Sequence, residues 1–192
     1  LLHEIRAFRK QIDTLKNVDM FSNDSIISGE HDETRIVLNF KKLGKTGYDV
    51  DRILRNEYNI QIEMADFYNA VCIATVADRK EDFEKLCWAV SEISARFAGN
   101  PPLPDSIIKE FEIPRLVLTP KEAVMNKGEA VPLDKAVGRI CKSVVTPYPP
   151  GIPIICPGEM ITKNAVERIY IILKAGGIVN GLETKEEICV VS

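Results

Sequence analysis

A proline-rich segment, Thr146–Glu159, holds the residues of this sequence that are best suited to chemistry. Four prolines occur in the eight residues Thr146-Pro-Tyr-Pro-Pro-Gly-Ile-Pro153. Each proline fixes φ and removes a backbone donor, so regular structure cannot continue through them. Tyr148 and Glu159 are the side chains here with acid–base or strong hydrogen-bonding capacity. The residues alone leave two interpretations open: a loop held rigid for a ligand, or a rigid surface loop with Glu159 near a helix N-terminus, where negative charge is favoured.

Other chemical motifs are absent or incomplete. Gly44-Lys-Thr46 resembles the end of a phosphate-binding loop, but Asn39 stands where that loop needs its first glycine, so a strand-to-helix turn is the better interpretation. The sequence contains neither a Gly-x-Gly-x-x-Gly dinucleotide motif nor a Gly-x-Ser-x-Gly nucleophile motif. His3 and His31 lie far apart without metal-ligand spacing, so we expect no metal site.

Composition limits the class of protein. The 192 residues include 25 basic and 28 acidic side chains, a net charge of −3, which argues against a nucleic-acid-binding protein held by bulk charge. A hydrophobic fraction of 45% argues against disorder. No apolar run reaches the roughly 18–20 residues of a membrane helix, and no signal-peptide pattern opens the chain. The five cysteines form no Cys-x-x-Cys pair, which favours a reducing compartment, and we predict a cytoplasmic protein.

The first half alternates helices and strands as a small α+β domain does. Apolar residues at every third or fourth position predict a helix over Leu2–Leu15, and Asp78-Arg-Lys-Glu81 predicts a capping box that opens a helix reaching Phe97. Gly99–Pro104 is proline-rich and uncharged, and it predicts a domain boundary. The other predicted elements are a strand at Thr34–Phe40, a helix from a Thr46 cap to near Asn59, and strands at Ile60–Met64 and Ala70–Val76.

The second half predicts a second α+β domain. Thr119-Pro-Lys-Glu122 predicts a capping box, and Thr162 can cap a last helix that ends before Gly176-Gly177. The other predicted elements are a helix at Lys121–Asn126, extended segments at Val131–Val137 and Arg139–Thr146, a strand at Ile154–Cys156, a turn at Pro157–Glu159, the last helix at Lys163–Lys174, and a hairpin edge or docked strand in the tail. The predicted domains are therefore residues 1–104 and 105–192.

Four segments of the second half form a long and specific pattern: Leu118–Val124, Val131–Leu133, Ala136–Ile140 and Thr146–Glu159. Together they resemble the C-terminal domain of bacterial ornithine/lysine/arginine decarboxylases, which are pyridoxal-phosphate enzymes of the aspartate-aminotransferase fold. In the first half, the segments that resemble the family's small domain are Asp32–Ile36, Leu43–Tyr48 and Tyr58–Met64. The resemblance implies a linking helix plus an aminotransferase-like small domain in residues 1–104, and the decarboxylase C-terminal domain in residues 105–192.

The resemblance also implies what this chain lacks. In the family, pyridoxal phosphate forms an imine with the lysine of a Ser-x-His-Lys motif, whereas here His3 precedes Glu4 and His31 precedes Asp32. We therefore expect no catalytic residue in this chain, no cofactor bound to it alone, and an imine lysine in an upstream cofactor domain. The chain also begins at Leu1 rather than methionine, which favours a piece of a longer protein.

The family's substrates imply a carboxylate for the substrate's distal cation. Our candidate substrate-binding residues are Glu159, Tyr148 and Gly151, which we expect to reach a substrate channel, either of the same subunit or of a neighbouring subunit in a homodimer or larger oligomer. The implied reaction is decarboxylation of arginine, lysine or ornithine to carbon dioxide and polyamines or their precursors. Two alternatives remain open: a stand-alone module that binds a basic ligand or a decarboxylase subunit, and a structural piece that assembles the oligomer.

Overall fold

The structure, a computed structural model, describes residues 1–22, 31–105 and 112–192. These residues divide into two compact units, Leu1–Pro104 (unit 1) and Asp105–Ser192 (unit 2). Each unit combines helices with antiparallel strands, so the predicted α+β class is confirmed. Within the described ranges, no helix is both long and apolar enough to cross a membrane.

Unit 1 is built on a four-stranded antiparallel sheet. Its strands are β1 (Asp19–Met20), β2 (Arg35–Asn39), β3 (Met64–Ala65) and β4 (Asn69–Ile73), and their order in the sheet is β1-β2-β4-β3. β2 and β4 form the centre, with Arg35 opposite Ile73 and Asn39 opposite Asn69. Along β2, Ile36 and Leu38 are buried while their neighbours are not, which is the alternation expected of a strand with one face on the core.

The third strand is shorter than the predicted strand Ile60–Met64. Asn59 adopts the left-handed conformation (φ 51°) and ends the preceding helix, and the Ile60 N–H donates back to the Leu54 carbonyl at 2.9 Å. The chain therefore leaves that helix in a turn and meets β4 only at Glu63, whose N–H donates to the Val71 carbonyl. The polar segment before residue 31 also contributes a strand, β1, that the sequence did not predict, and residues 23–30 of that segment lie outside the described residues.

The described residues of unit 1 also form three α-helices, α1 (Leu2–Ile12), α2 (Gly47–Tyr58) and α3 (Lys80–Arg96). α1 buries Ile5, Phe8 and Ile12 against α3, and the rings of Phe8 and Phe83 lie 6.4 Å apart. The predicted helix to Leu15 ends earlier, at Ile12, and the Thr14 hydroxyl donates to the Gln11 carbonyl at 2.7 Å and so satisfies a terminal acceptor.

The predicted capping box at Asp78 is wrong. Asp78 accepts hydrogen bonds from the N–H and the hydroxyl of Thr75, so its side chain closes a turn before the helix. α3 begins two residues later, and the carboxylate of Asp82 rather than Glu81 accepts the Arg79 N–H at 2.8 Å. An aspartate carboxylate can accept a backbone N–H either in the turn before a helix or in its first turn. The local sequence pattern alone does not show which of these positions it takes.

The cap of α2 is as predicted, and its Thr46 is buried. The Thr46 hydroxyl oxygen accepts the Asp49 N–H at 3.1 Å, and the Asp49 carboxylate accepts the Thr46 N–H at 3.0 Å. We expect Thr46→Ala to lower the free energy of unfolding of unit 1 by about 1–2 kcal/mol, because it leaves a helix donor without a partner. Urea unfolding followed by the fluorescence of Trp88, the single tryptophan, measures this. Thr46→Ser keeps the hydroxyl oxygen, so we expect it to lower the free energy of unfolding by less than Thr46→Ala does. Equal losses in the two variants would assign the effect to the methyl group of Thr46 instead.

The described residues of unit 2 form a three-stranded and a two-stranded sheet. Its elements are α4 (Pro120–Met125), β5 (Gly128–Pro132), β6 (Thr146–Pro147), α5 (Lys163–Lys174), β7 (Val179–Asn180), β8 (Leu182–Thr184) and β9 (Glu187–Val191). The strand orders are β5-β9-β8 and β6-β7. The tail forms the predicted hairpin, but β9 is the middle strand of its sheet rather than an edge. Of the two predicted extended segments, the first breaks into a 3-10 turn at Leu133–Lys135 and the second pairs mostly through isolated bridges.

The two helices of unit 2 confirm their predicted caps. The Thr162 hydroxyl accepts the Ala165 N–H at 3.1 Å, and α5 has the predicted bounds Lys163–Lys174. At α4, Thr119 and Glu122 form the predicted reciprocal cap, and the Lys142 ammonium lies at the other end, donating to the Asn126 carbonyl at 2.8 Å. Both helices thus have partners for their terminal backbone groups.

Candidate functional site

The proline-rich segment is a loop closed at its base by two buried residues. Val145 donates its N–H to the Ile155 carbonyl at 2.9 Å, and Ile154 donates to the Val145 carbonyl at 2.8 Å. Val145 and Ile155 are both essentially inaccessible to solvent. The predicted strand Ile154–Cys156 is reduced to this one bridge, because Pro153 and Pro157 lack donors on either side. The base therefore belongs to the core of unit 2, while the loop extends from it.

Tyr148 and Gly151 lie together at the exposed tip. The Gly151 N–H donates to the Pro147 carbonyl at 2.8 Å, which closes the tip, and Gly151 has φ +90°. The Tyr148 side chain is 60% exposed and its ring faces Gly151, since a Cβ added there would lie 3.5 Å from the ring. Within the described part of the chain, the Tyr148 hydroxyl makes no hydrogen bond, so this hydroxyl is free to bind a ligand or a second protein surface.

Glu159 is held at the opposite end of the loop by the Pro157-Gly158 turn. Its N–H donates to the Cys156 carbonyl at 3.2 Å, which confirms the predicted turn. Its side chain is half-buried, and Oε2 accepts the Cys156 N–H at 2.7 Å. The carboxylate thus stabilises its own turn rather than the N-terminus of α5, where Thr162 makes the cap. The second carboxylate oxygen, Oε1, accepts no hydrogen bond from a described residue.

Gly158 fixes the turn between two other segments. Its N–H donates to the Cys141 carbonyl at 2.8 Å, and its carbonyl accepts the N–H groups of Val117 and Leu118 at 2.8 and 3.1 Å. The Cys141 N–H in turn donates to the Glu159 carbonyl at 2.8 Å. These backbone partners are distant in sequence, and no local signal could have identified them. They give Glu159 a defined position on a rigid support.

The three predicted site residues therefore form two groups. Tyr148 and Gly151 share the loop tip, whereas Glu159 lies beyond the buried base of the loop, and no hydrogen bond or ion pair between described atoms joins Glu159 to the other two. No group of three or more metal-ligating side chains occurs in the described ranges. The arrangement offers a fixed carboxylate with one open oxygen and, separately, an exposed phenol.

The thiols near this site are poor nucleophiles. Burial raises the pKa of the Cys141 thiol to about 11, and its Sγ donates to the Ser143 carbonyl at 3.1 Å. Burial, with a contribution from Glu159, also raises the pKa of Cys156. In unit 1, burial raises the pKa of Cys72 to about 12.

We expect Cys72 and Cys141 to resist alkylation by N-ethylmaleimide at pH 8. The thiolate is the reactive form, and a pKa of about 11 leaves roughly one thiol in a thousand ionised at that pH. Peptide mass spectrometry should show rates about 100-fold lower than in the urea-unfolded chain, with reactivity returning only as the pH approaches the raised pKa values. Equal rates for Cys141 in the folded and unfolded chains would contradict the burial of this thiol.

Both the sequence and the fold of this chain are similar to those of known decarboxylases. Residues 106–180 match the model of the family described as Orn/Lys/Arg decarboxylase, C-terminal domain. The arginine decarboxylase of Bacillus subtilis (strain 168) is 39% identical over 154 residues, which are 80% of this chain and 31% of that protein. The lysine decarboxylase of Hafnia alvei is 29% identical over 158 residues, 78% of this chain and 19% of that protein. The chain thus spans about a third of the length of the arginine decarboxylase that it matches.

Solved structures with a similar fold are lysine decarboxylases. The crystal structure of the Francisella novicida lysine decarboxylase superposes with a TM-score of 0.73 at 18% identity, over 99% of this chain and 39% of that one. The Escherichia coli constitutive lysine decarboxylase gives a TM-score of 0.70 at 15% identity, over 100% of this chain and 39% of that one. At these identities the likeness shows a shared fold, and it extends over both units.

Proposed function

The chain belongs to the Orn/Lys/Arg decarboxylase family, and we propose that it is the C-terminal part of an enzyme that decarboxylates arginine, lysine or ornithine. One observation carries the proposal: four arginine decarboxylases align with 73–86% of this chain at 35–39% identity. The alignment is too long to be explained by the C-terminal domain alone, since that domain's family model covers only residues 106–180.

We propose that the intact enzyme uses pyridoxal phosphate, which supplies an electron sink for the carbon that loses carbon dioxide. The residues of this chain do not fit the covalent attachment of that cofactor, because His3 and His31 are followed by acidic residues rather than by lysine. The imine lysine is then supplied by a part of the protein outside this sequence, and the 192-residue chain alone is inactive. No catalytic step is assigned to residues of this chain.

The proposed role of this chain is to bind substrate through Glu159, with Tyr148 and Gly151 as a second contact surface. The half-buried Glu159 carboxylate has one open oxygen, Oε1, on a turn fixed by Gly158. A fixed, partly desolvated carboxylate forms a strong charge-assisted hydrogen bond with an ammonium or guanidinium group. Because Tyr148 lies at the other end of the loop, we propose that the loop tip contacts a neighbouring subunit of a homodimer or larger oligomer.

We also propose the products of the reaction and the compartment in which it takes place. The products are carbon dioxide and the corresponding amines, which are polyamines or their precursors, and the enzyme acts in the cytoplasm. Five cysteines without a Cys-x-x-Cys pair support a reducing compartment.

A decarboxylation assay on the native protein tests the proposal. The protein is captured from its own cells with an antibody raised against this chain and incubated with arginine, lysine or ornithine, each labelled at the α-carboxylate. We expect release of labelled carbon dioxide from at least one of them, and none from the recombinant 192-residue chain. No release from any of the three would overturn the proposal and favour a stand-alone binding or assembly module.

A further inference from the structure

A groove of about 600 Å³ opens in unit 1. None of the candidate site residues Tyr148, Gly151 and Glu159 lines it. It lies between the first turns of α3, the end of β4 and the chain that leads into β3, and we call it the α3 groove. Its inner wall is apolar, with Ile36, Ile62 and Phe83 among the residues that line it, all of them buried. The volume is within the range of pockets that hold small organic ligands, roughly 300–1,000 Å³.

The rim of the α3 groove is acidic. Glu63, Asp78 and Asp82 line it, and among the residues that the structure describes no lysine, arginine or histidine does. Asp78 and Asp82 each use one carboxylate oxygen for a neighbouring donor, so each retains a second oxygen that accepts nothing from the described residues. None of the three carboxylates forms an ion pair within the described ranges, in contrast to Glu84 and Glu57 of the same unit. Three negative charges without a cationic partner therefore stand beside an apolar wall.

We propose that the α3 groove binds a linear aliphatic amine with at least two cationic groups. The alkyl chain would cover the apolar wall, where removing it from water is favourable. The ammonium or guanidinium groups would lie against the rim and form charge-assisted hydrogen bonds with the open carboxylate oxygens. A wholly apolar ligand would leave the negative charges of the rim without a partner. A small hydrated cation would leave the apolar wall exposed to water. The groove therefore fits a molecule that has both an alkyl chain and cationic groups.

The same chemistry distinguishes such an amine from a basic amino acid. Lysine and 1,5-diaminopentane differ only in the α-carboxylate, and the carboxylate of lysine would be repelled by the rim. The groove is therefore expected to bind the decarboxylated compound and reject its parent. That the bound amine is the enzyme's own product rests on the proposed function, whereas the binding itself does not.

Titration of the isotope-labelled 192-residue chain by NMR tests the proposal, with 1,5-diaminopentane and lysine as probes. We expect saturable shifts centred on the amides of Ile62, Thr75 and Phe83 with the diamine, and at least tenfold weaker binding of lysine. The double variant Glu63→Gln/Asp78→Asn should bind the diamine at least tenfold more weakly. Both amides keep an acceptor oxygen, so the turn at Thr75 is preserved.

Glu81→Gln/Glu84→Gln is the matched control, since it also removes two negative charges, at residues of α3 that do not line the groove. We expect this control to keep the affinity for 1,5-diaminopentane within twofold of that of the unsubstituted chain. Equal affinity for lysine and the diamine, shifts spread over other acidic surfaces, or an equal loss in the control would each overturn the proposal. Binding of a basic amphipathic peptide in place of the amine would also overturn it, by assigning the groove to a protein partner. The titration involves neither cofactor nor decarboxylation, so its failure would leave the proposed function standing.

Discussion

Replacing Gly158 with alanine is expected to unfold unit 2 or to lower its free energy of unfolding by more than about 3 kcal/mol. A Cβ on Gly158 would lie 2.1 Å from the Leu118 carbonyl oxygen, far inside van der Waals contact, and Gly158 has φ +89°. Because the obstacle is backbone, and both Val117 and Leu118 donate to Gly158 itself, neither side can move without breaking those hydrogen bonds. The turn that positions Glu159 would be lost with them.

Gly138 offers a matched control in the same unit. It has φ +84°, nearly the same as Gly158, but a Cβ there would meet nothing within 4 Å. Gly138→Ala should therefore cost only the strain of a left-handed residue, about 1–2 kcal/mol. Hydrogen exchange over residues 112–192 measures both variants, with Trp88 fluorescence reporting that unit 1 stays folded. Similar losses in the two variants would mean that the close approach to Leu118 is not what requires glycine at position 158.

Glu159→Gln in the intact enzyme is expected to lower kcat/KM for the basic amino acid substrate by roughly 10- to 100-fold, which is the loss of one charge-assisted hydrogen bond. Glutamine keeps a carbonyl oxygen that can accept the Cys156 N–H, so the turn should survive. The change thus removes the negative charge and leaves the structural role in place.

Glu159→Ala separates the two roles further. It removes the acceptor of the Cys156 N–H as well as the charge, so it should lower the thermal midpoint in addition to kcat/KM. If Glu159→Gln retained full kcat/KM while Glu159→Ala lost both stability and activity, Glu159 would be a residue of the turn alone and the substrate-binding proposal would fail.

Local patterns predicted the elements whose determinants lie within a few residues. The caps at Thr46, Thr119 and Thr162 are confirmed, and α5 begins and ends where its sequence predicts, because each cap is a contact over three residues. Asp78 shows the limit of such patterns. Its carboxylate could accept an N–H group either from the start of α3 or from Thr75, and it accepts the Thr75 N–H.

Features that depend on distant residues were not predictable from the sequence. The middle position of β9 depends on its pairing with β5, some 60 residues upstream. The loop with Tyr148 and Glu159 was recognisable from its prolines and its family pattern, but the separation of these residues follows from the buried bridge between Val145 and Ile155. The α3 groove likewise combines residues from four separate stretches of unit 1.

The most direct test of the central claim is the intact mass of the native protein, with its absorbance between about 330 and 430 nm, where an imine of the proposed cofactor absorbs. A protein captured from its own cells should have a mass well above the 21.5 kDa of this chain and should show the imine band. A native protein of 21.5 kDa without that band would contradict the account and would make the chain a separate module of the decarboxylase family.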